Sequence, residues 1–391
     1  MVKSQFEKKF GEDCGIVGVY DPNGDVSRLA FYGIYALQHR GQESAGIASA
    51  DGYKIKLRTG MGLVTHVFKD EDLDYLTGDT AIGHTRYSTT GTSNIKNAQP
   101  MIVEGENFKL AIAHNGNVVN SLELKRELEE LGQEFNTSSD SEVIAKIVAS
   151  APANTWEGRI AYLMRKVQGA YSLTLMTEKE LIAVRDPLGV RPLCFGSVNG
   201  GWIIASESCA LDNVGAKFVR EVNPGEAIMF DSKGFKSIYQ KDKEKCSFCV
   251  FEHIYFARPD SELDGKLVYK SRLLMGKELA REHPVEADMV IGVPDSATAS
   301  AVGYSEQSGI PFGEGLVKNR YVGRTFINPD QRMREVGVKV KLNPLKELIE
   351  GKRLVVVDDS IVRGTTSKPV VSLLRNAGAK EIHLRICAPP I

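Results

Sequence analysis

Two adjacent acidic residues stand at the end of a short apolar run, and this pattern has the clearest chemistry in the chain. The run Leu354–Val357 is rich in valine, as expected of a buried parallel strand, and Asp358 and Asp359 follow it directly. The turn Gly364-Thr365-Thr366-Ser367 comes next, before a helical pattern over Val370–Ala377. Carboxylates at such a strand end can bind ribose hydroxyls or Mg²⁺, and the turn's N–H and hydroxyl groups can bind a phosphate. A capped strand–loop–helix without a ligand is the alternative.

A cysteine at the start of a glycine-rich strand is the second candidate. Cys14 stands in Glu12-Asp13-Cys14-Gly15-Ile16-Val17-Gly18-Val19, and taken alone it predicts a small core residue. As a thiolate it would be a nucleophile, a form that a nearby cationic amine favours. His84 and His114 suggest either a Cys–His pair or structural histidines at strand ends, and the second interpretation is favoured. Four segments carry residues that could complete a site around Cys14: Gln38–Gly46, Gly83–Thr89, Ala113–Asn117 and Ser138–Glu142.

The elements that must position these residues follow two patterns. Up to about Ser237, short apolar strands arrive in consecutive groups, which predicts an α+β sandwich. Helical periodicity in this part is found at Leu122–Leu131, Ser141–Ala149 and Trp156–Val167. After the charged run Lys241–Lys245 the order becomes strand–helix–strand, which predicts an α/β domain with a parallel sheet.

Length and composition limit the class of protein. The chain has 391 residues, of which 42% are hydrophobic and 25% charged, as is typical of a two-domain globular protein. Its 49 Lys and Arg balance 50 Asp and Glu, so a nucleic-acid or anionic-membrane surface is not indicated. No apolar run of about 18 residues is present, and the N-terminus lacks the apolar stretch of a secretory signal. The six cysteines do not form a disulfide pattern, and thiols in a cytoplasmic protein are the better interpretation.

The segments around Cys14, taken together, resemble the glutaminase domain of class II amidotransferases, the N-terminal-nucleophile type. The resemblance covers about residues 14–235 and implies an αββα sandwich. It also implies that residues 1–13 are a leader whose removal makes Cys14 the first residue, with its own α-amine as the base.

The same resemblance assigns the remaining glutaminase residues. It implies that Asn115 and Gly116 form the oxyanion hole, where an amide and a backbone N–H meet the developing charge. It implies that Arg86 clamps the glutamine α-carboxylate and that Asp140 binds the substrate ammonium group. Arg40 lies in a motif that orders the glutamine-binding site.

The acidic strand end resembles the PRPP-binding loop of type I phosphoribosyltransferases, and Gly292–Ser296 resembles their pyrophosphate loop. The basic stretch Lys318–Phe326, followed by further cations, resembles the flap that closes over PRPP and excludes water. A solvated basic face is the alternative for this stretch. The implied PRPP-binding residues are Asp295, Ser296, Lys318, Arg320, Asp358, Asp359, Gly364, Thr365, Thr366 and Ser367. Ser296, Asp358 and Asp359 are the implied ligands of Mg²⁺.

A glutaminase domain over residues 14–240, followed by a phosphoribosyltransferase domain over residues 250–391, resembles the amidophosphoribosyltransferase family. The implied reaction opens purine synthesis: PRPP, glutamine and water give 5-phosphoribosylamine, glutamate and pyrophosphate. Ammonia made at the first site passes to the second. The resemblance also implies inhibition by purine nucleotides, AMP and GMP, and a homotetramer, with no nucleic-acid or membrane partner.

Two other functions share part of this pattern. A glucosamine-type synthase shares the first domain, but its sugar-isomerase half would lack the acidic strand end and the Gly-Thr-Thr-Ser turn. A PRPP-sensing regulator would use the second fold without an intact glutaminase. The presence of Cys14, Arg86, Asn115 and Asp140 argues against the regulator.

The cysteines outside the glutaminase motif carry a further expectation. Many members of the family hold a 4Fe–4S cluster, and its first ligand aligns with Cys249, whereas Cys246 departs from the pattern. The other ligands would lie beyond Ile391, so we expect a longer natural protein, with the cluster in doubt for this chain. Cys194, Cys209 and Cys387 are predicted to be core residues.

Overall fold

The structure is a computed structural model that describes residues 14–87, 94–241, 246–319, 342–361, 364 and 367–389. The chain divides into two compact units. The first unit comprises Met1–Cys249 with Glu262–Asp264, and the second comprises Val250–Ser261 with Gly265–Ile391. No helix among the described residues is long and apolar enough to cross a membrane.

The first unit is built on two antiparallel sheets. A seven-stranded sheet has the order β11-β9-β10-β1-β4-β2-β3, and a six-stranded sheet has the order β13-β12-β8-β7-β6-β5. The strands are β1 (Gly15–Tyr20), β2 (Ser44–Ala50), β3 (Ile55–Met61), β4 (Thr80–Arg86), β5 (Met101–Glu104), β6 (Lys109–Val118), β7 (Gly169–Met176), β8 (Leu181–Arg185), β9 (Cys194–Val198), β10 (Gly201–Ala205), β11 (Lys217–Glu221), β12 (Glu226–Asp231), β13 (Gly234–Gln240) and the short β14 (Glu262–Leu263).

Seven α-helices accompany these sheets in the described part of the first unit. They are α1 (Val26–Ala36), α2 (Val64–Val67), α3 (Asp70–Tyr75), α4 (Ser121–Glu130), α5 (Asp140–Ala149), α6 (Trp156–Lys166) and α7 (Ser208–Asn213), and a 3-10 turn covers Ile95–Asn97. Helix α5 begins where a side chain caps it: the Ser139 hydroxyl accepts from the Ser141 N–H at 3.3 Å.

Alternation along the strands produces the layers of the first unit. On β1, Val17 and Val19 pack with α1 and α7, whereas Ile16 points to the other face and packs between the two sheets. On β6, Leu110 and Ile112 pack with α4, α5 and α6. The result is the four-layered αββα sandwich that the sequence predicts.

The second unit contains a parallel sheet with helices on both faces. Strands β16 (Met289–Gly292), β19 (Arg353–Asp358) and β20 (Glu381–Ile386) pair in that order and in parallel. On β19, Val355 and Val357 pack against α8 and α9, while Leu354 and Val356 pack against α11. The other elements are β15 (Lys266–Leu267), β17 (Leu316–Lys318), β18 (Leu342–Pro344), α8 (Val268–Glu282), α9 (Thr298–Ser308), α10 (Lys346–Ile349), α11 (Ser367–Asn376) and a π-helical turn over Glu252–Phe256. The predicted α/β domain with a parallel sheet is therefore confirmed.

Candidate active sites

Cys14 and Arg86 lie at the same end of the seven-stranded sheet. Cys14 directly precedes β1, and Gly15 pairs with Thr85 on β4, so the next register position places Cys14 opposite Arg86. The Cys14 thiol is buried and donates to the Tyr87 carbonyl oxygen at 3.6 Å. The sheet thus brings the predicted nucleophile beside the predicted carboxylate clamp.

The guanidinium of Arg86 is buried and held by a carboxylate. Its Nη1 atom donates to Glu43 Oε1 at 2.9 Å, and the Arg86 side chain is only 3% exposed. Glu43 precedes β2, whose first residue, Ser44, pairs with Arg86. Because the ion pair fixes the guanidinium at the sheet edge, its planar fork is preorganised for a carboxylate ligand.

Arg40 contacts the backbone of Cys14. Its Nε atom donates to the Cys14 carbonyl oxygen at 3.1 Å, and its Nη1 atom donates to Glu207 Oε1. Both members of this ion pair have fully buried side chains. Arg40 is thus in direct contact with the backbone of Cys14, and its ordering role stays a prediction.

Asn115 carries a buried side-chain amide that makes no hydrogen bond to the part of the chain that the structure describes. It lies on β6 and is 0% exposed, yet Oδ1 and Nδ2 have no hydrogen-bond partner among the described residues. A buried amide without partners is costly unless a ligand supplies them. This is the condition expected of an oxyanion-hole donor before substrate binds.

The backbone of the next residue excludes a side chain. Gly116 has a φ of +151°, and a Cβ atom there would lie 2.0 Å from the Ala170 carbonyl oxygen. Only glycine avoids this clash while keeping a conformation that L-residues rarely adopt. The glycine therefore allows β6 to pass close to β7 directly after Asn115.

Asp140 lies beside the end of the strand that carries Asn115. It is the first residue of α5, and its Oδ2 atom accepts from the Val118 N–H at 3.0 Å. The side chain is buried. A carboxylate at this place can pair with a substrate ammonium group close to Asn115 and Gly116.

Two buried histidines join the sheets at the site. The Nε2 atom of His84 on β4 donates to the His114 carbonyl oxygen on β6 at 3.1 Å, and His114 Nδ1 lies 3.0 Å from Ser141 Oγ. Burial lowers the pKa of His84 to about 3 and also lowers the pKa of His114. Both rings are therefore neutral near pH 7, and their contacts favour a structural role over a Cys–His pair.

The acidic pair of the second unit lies where two parallel strands end. Val293, which follows β16, donates its N–H to the Val357 carbonyl oxygen at 2.9 Å, so the Gly292–Ser296 loop lies beside Asp358 and Asp359. Ser296 Oγ donates to Asp359 Oδ2. The predicted PRPP loop and pyrophosphate loop thus meet at one edge of the sheet.

Asp358 has a buried carboxyl group next to a second acidic residue at this edge of the sheet. Asp358 is 7% exposed, and its Oδ1 atom accepts from the Asp359 N–H at 2.9 Å. Burial, followed by the negative charge of Asp359, raises the pKa of Asp358 to about 7. A carboxyl pair in this state favours a cationic ligand, since a cation would relieve both the desolvation and the repulsion.

The other predicted PRPP residues are only partly described. Lys318, at the end of β17, forms an ion pair with the exposed Asp295. Gly364 has a φ of +66°, and Ser367 is the first residue of α11. Thr365, Thr366, Arg320 and the later flap cations Arg324, Arg332, Arg334, Lys339 and Lys341 lie outside the described residues, as does the leader.

The cysteines differ in burial. Cys194 and Cys209 are buried, as predicted, whereas Cys387 is only partly buried and lies after β20, where its N–H donates to the Asp358 carbonyl oxygen. Cys246 is exposed and Cys249 partly buried. Within the described ranges, no group of three or more His, Cys, Asp or Glu side chains is placed to hold a metal ion.

Sequence reasoning missed the residues that support the site from behind. Glu43 and Glu207 neutralise buried arginines, and the Gln99 side chain donates to Ser141 and accepts from the His114 N–H. Glu43 lies in the candidate segment Gln38–Gly46, but Glu207 is 167 residues away from Arg40 in the chain. No local pattern marks Glu207 as the partner of Arg40.

Comparison with known proteins decides which family this arrangement belongs to. A glutamine amidotransferase domain model matches residues 56–260, and a phosphoribosyl transferase domain model matches residues 274–388. An amidophosphoribosyltransferase from Archaeoglobus fulgidus is 50% identical over 383 residues, covering 97% of this chain and 83% of the relative. The chain belongs to the amidophosphoribosyltransferase family. A relative of that name from Synechococcus elongatus is also 50% identical, covering 97% of this chain and 78% of its own length.

Solved structures agree with this family membership. A structure described as the allosteric regulatory enzyme of purine biosynthesis has a TM-score of 0.90 at 47% identity, covering 97% of this chain and 81% of the other. The glutamine PRPP amidotransferase from B. subtilis, complexed with ADP and GMP, has the same TM-score and identity and is covered to 82%. The phosphoribosyl transferase match excludes the glucosamine-type synthase for the second half of the chain.

The family membership fixes the reaction. The protein is a glutamine amidotransferase and pentosyltransferase that forms 5-phosphoribosylamine from PRPP and glutamine, releasing glutamate and pyrophosphate. This is the committed opening step of purine biosynthesis. The regulator alternative is set aside by the same matches.

Proposed function

We propose that Cys14, Asn115 and Gly116 carry out the glutaminase step in the first unit. Cys14 becomes the first residue on removal of residues 1–13, and its thiolate attacks the side-chain amide carbon of glutamine. The oxyanion that forms is stabilised by the Asn115 amide and the Gly116 N–H. Collapse breaks the C–N bond, the α-amine of Cys14 returns its proton to the leaving nitrogen, and water then hydrolyses the glutamyl thioester to glutamate.

The observation that carries this proposal is the bond from His84 to the His114 carbonyl oxygen. His84 stands two residues before Arg86 on β4, and His114 directly precedes Asn115 on β6. Because Cys14 lies opposite Arg86, the bond supports a site in which Cys14, Arg86 and the Asn115 amide act together. We assign Arg86 to the glutamine α-carboxylate and Asp140 to its ammonium group, with Arg40 ordering the site.

We propose that PRPP binds in the second unit at the edge formed by Asp358, Asp359 and Ser296. The remaining residues assigned to PRPP are Asp295, Lys318, Arg320, Gly364, Thr365, Thr366 and Ser367. The raised pKa of Asp358 beside Asp359 supports a divalent cation, which Ser296, Asp358 and Asp359 would hold together with PRPP oxygens. Mg²⁺ bound there would neutralise charge on the departing pyrophosphate. Ammonia from the first site replaces pyrophosphate at C1 of the ribose, and positioning and electrostatics suffice for that step.

The finer properties of the protein remain proposals. The domain assignment is 14–240 for the glutaminase and 250–391 for the phosphoribosyltransferase. Binding of purine nucleotides such as AMP and GMP is supported by the ADP and GMP complex of the B. subtilis relative. The homotetramer and the cytoplasmic location stay predictions. For a 4Fe–4S cluster, Cys246 and Cys249 do not make a ligand set among the described residues, so no step is assigned to it.

Measuring phosphoribosylamine formation separately with glutamine and with ammonium salts tests whether the two reactions use separate sites. Cys14→Ala should abolish phosphoribosylamine formation from glutamine and retain formation from ammonium salts. Cys194→Ala is the matched control, since Cys194 is a buried thiol of the same unit that donates to the Ala205 carbonyl oxygen. Equal loss of both activities in a folded Cys14→Ala variant, or retention of glutamine use, would contradict the proposal.

A further inference from the structure

A buried carboxylate is paired with the arginine that contacts Cys14, and the glutaminase step described above does not use it. Glu207 follows β10 and has a fully buried side chain. Its Oε1 atom accepts from Arg40 Nη1 and, at 2.7 Å, from the ring Nε2 of His39, while the Cys209 thiol lies 3.7 Å from Oε2. Three donors from two parts of the chain thus converge on one carboxylate.

Glu207 is linked to the nucleophile through the side chain of Arg40. Arg40 uses Nη1 on Glu207 and Nε on the Cys14 carbonyl oxygen, at 3.1 Å. That carbonyl lies in the same peptide plane as the Cα atom of Cys14. The amine and the thiol-bearing side chain are both attached to this Cα atom. A donor fixed on the carbonyl therefore helps to hold in place the Cα atom that carries both groups used in the glutaminase step.

The residue before Glu207 holds the same stretch of backbone. The Ser206 hydroxyl accepts from the Ile16 N–H at 3.0 Å, and the Ser206 N–H donates to the Ile16 carbonyl oxygen at 3.1 Å. Ser206 and Glu207 together therefore anchor the chain at Ile16 directly and at Cys14 through Arg40. The first residues of β1 are held from behind at two points.

The charge of Glu207 is needed for this anchor. A buried guanidinium without a counter-ion is strongly unfavourable, so Arg40 stays in place only while a carboxylate compensates it. Replacing Glu207 by an uncharged residue would remove this carboxylate from a buried cation beside the Cys14 backbone. Arg40 would then move toward water or shift the peptide plane that it holds.

We propose that Glu207 is a positioning residue for the glutaminase reaction, acting through Arg40 on the peptide plane of Cys14. The inference rests on the proposed role of Cys14. It assigns to Glu207 no contact with glutamine. It follows that loss of Glu207 should lower the rate of attack by Cys14, while glutamine binding by Arg86 should stay unchanged.

The test compares Glu207→Gln with the same change at another buried carboxylate that is paired with an arginine. Glu226→Gln is the control, because Glu226 is a buried carboxylate of the same unit that accepts from Arg220 at 2.8 and 2.9 Å, and its partner contacts Glu221 rather than Cys14. We expect Glu207→Gln to lower kcat for glutamine hydrolysis about 10- to 100-fold, since a small misplacement of reacting groups has effects of this size. KM for glutamine should change less than about threefold, and the ammonia-dependent activity and the kcat of Glu226→Gln should stay at the wild-type level.

Labelling of Cys14 with a diazoketone analogue of glutamine separates positioning from misfolding. Glu207→Gln should still reach full labelling of Cys14, but with a rate constant reduced in parallel with kcat. The double variant Arg40→Gln/Glu207→Gln should be no slower than Arg40→Gln alone, because the carboxylate acts through the arginine. Glu207→Asp, which keeps the charge, should recover part of the labelling rate.

Several outcomes would overturn the inference. The inference fails if Glu207→Gln keeps the wild-type kcat or changes only KM. It also fails if the losses in the double variant are fully additive, or if Glu226→Gln loses as much activity as Glu207→Gln. If Glu207→Gln does not fold, the double variant decides, because it contains no buried uncompensated charge. Failure of the proposed function is recognised separately, since Cys14→Ala would then retain glutamine use.

Discussion

The His84 ring donates to the His114 carbonyl oxygen at 3.1 Å and thereby connects the two sheets of the sandwich at the proposed glutaminase site. One sheet supplies Cys14 and Arg86, and the other supplies Asn115. Since burial keeps both histidines neutral near pH 7, the connection does not depend on pH in the physiological range. The site is therefore divided between two layers, with a hydrogen bond between them.

Asn115→Ala should reduce glutamine hydrolysis without a large loss of stability. The Asn115 side chain has no hydrogen-bond partner among the described residues, so its removal breaks no bond of the described fold. Loss of one oxyanion-hole donor typically lowers kcat by about 10²–10³. Glutaminase kcat and the free energy of unfolding should be measured on the same preparations.

A second asparagine supplies the control for this experiment. Asn120 donates through Nδ2 to the Lys166 carbonyl oxygen at 2.9 Å and accepts from the Gln168 N–H at 2.9 Å. Asn120→Ala should therefore lower the stability, by about 1–3 kcal/mol if those groups are left unpaired, and leave kcat unchanged. The reverse pattern would remove Asn115 from the oxyanion hole.

Gly116→Ala should be far more disruptive than an alanine at another glycine with a positive φ. The added Cβ would lie 2.0 Å from the Ala170 carbonyl oxygen, so β6 and β7 would have to separate. Gly132, with a φ of +82° and no atom within 4 Å of an added Cβ, offers a control without the clash. Gly132→Ala should cost about 1 kcal/mol for the conformation alone.

The readout for the two glycines is urea unfolding together with glutamine hydrolysis. Gly116→Ala should unfold at a clearly lower urea concentration than Gly132→Ala and should lose glutaminase activity. Equal unfolding midpoints for the two variants would show that β7 can move away at no cost. In that case Gly116 would not be required by its contact with Ala170.

Arg86→Ala should mainly weaken glutamine binding. A desolvated ion pair with the substrate carboxylate is worth about 2–5 kcal/mol when one partner is removed, which predicts a KM increase of at least about 30-fold. Arg86→Lys should recover little, because an ammonium group cannot make the bidentate contact. KM for glutamine at saturating PRPP is the measurement.

Glu43→Gln provides the comparison for Arg86. Glu43 holds the Arg86 guanidinium at 2.9 Å but is not assigned a contact with glutamine. We expect a smaller KM increase for Glu43→Gln than for Arg86→Ala. A KM for glutamine that stays at the wild-type value in Arg86→Ala would transfer the carboxylate to another residue.

The sequence predicted the parts of the fold whose pattern is local. The valine-rich run before Asp358 forms β19, and the periodic segment after Ser139 forms α5, because burial and capping leave their marks within a few residues. Helix α1 was missed, since its small and aromatic residues give no clear polar face. Strand β3 was also missed, because exposed and half-buried residues mix along it.

What the sequence could not predict depends on contacts between distant segments. The strand order of the two sheets and the pairing of Arg40 with Glu207 join residues far apart in the chain. Such pairings are decided by packing in three dimensions, and a single sequence carries no local sign of them. The residues proposed for the site come from the sequence, whereas the carboxylates that hold its arginines are seen only in the structure.

Asp358→Asn should change PRPP binding in a way that depends on pH. Because the pKa of Asp358 is about 7, a cation–PRPP complex must displace a proton from this residue at lower pH. The PRPP dissociation constant of the wild type should therefore rise as the pH falls below about 7. Asp358→Asn should bind PRPP more weakly at pH 8 and should lack this part of the pH dependence, and the difference between the two profiles removes the titration of PRPP itself.

The same substitution should have the opposite effect on the stability of the protein without ligand. The pKa of Asp358 is raised in the folded state from 3.8, so its favourable contribution is present below pH 3.8 and is lost as the pH rises through about 7. Asp358→Asn should thus match the wild type near pH 4 and exceed it at pH 8, by at most about 4 kcal/mol. Asp359→Asn, which removes the neighbouring charge, should weaken PRPP binding and lower the pKa of Asp358. Equal stabilities of wild type and Asp358→Asn at pH 8, together with an unchanged PRPP affinity, would remove Asp358 from the PRPP site.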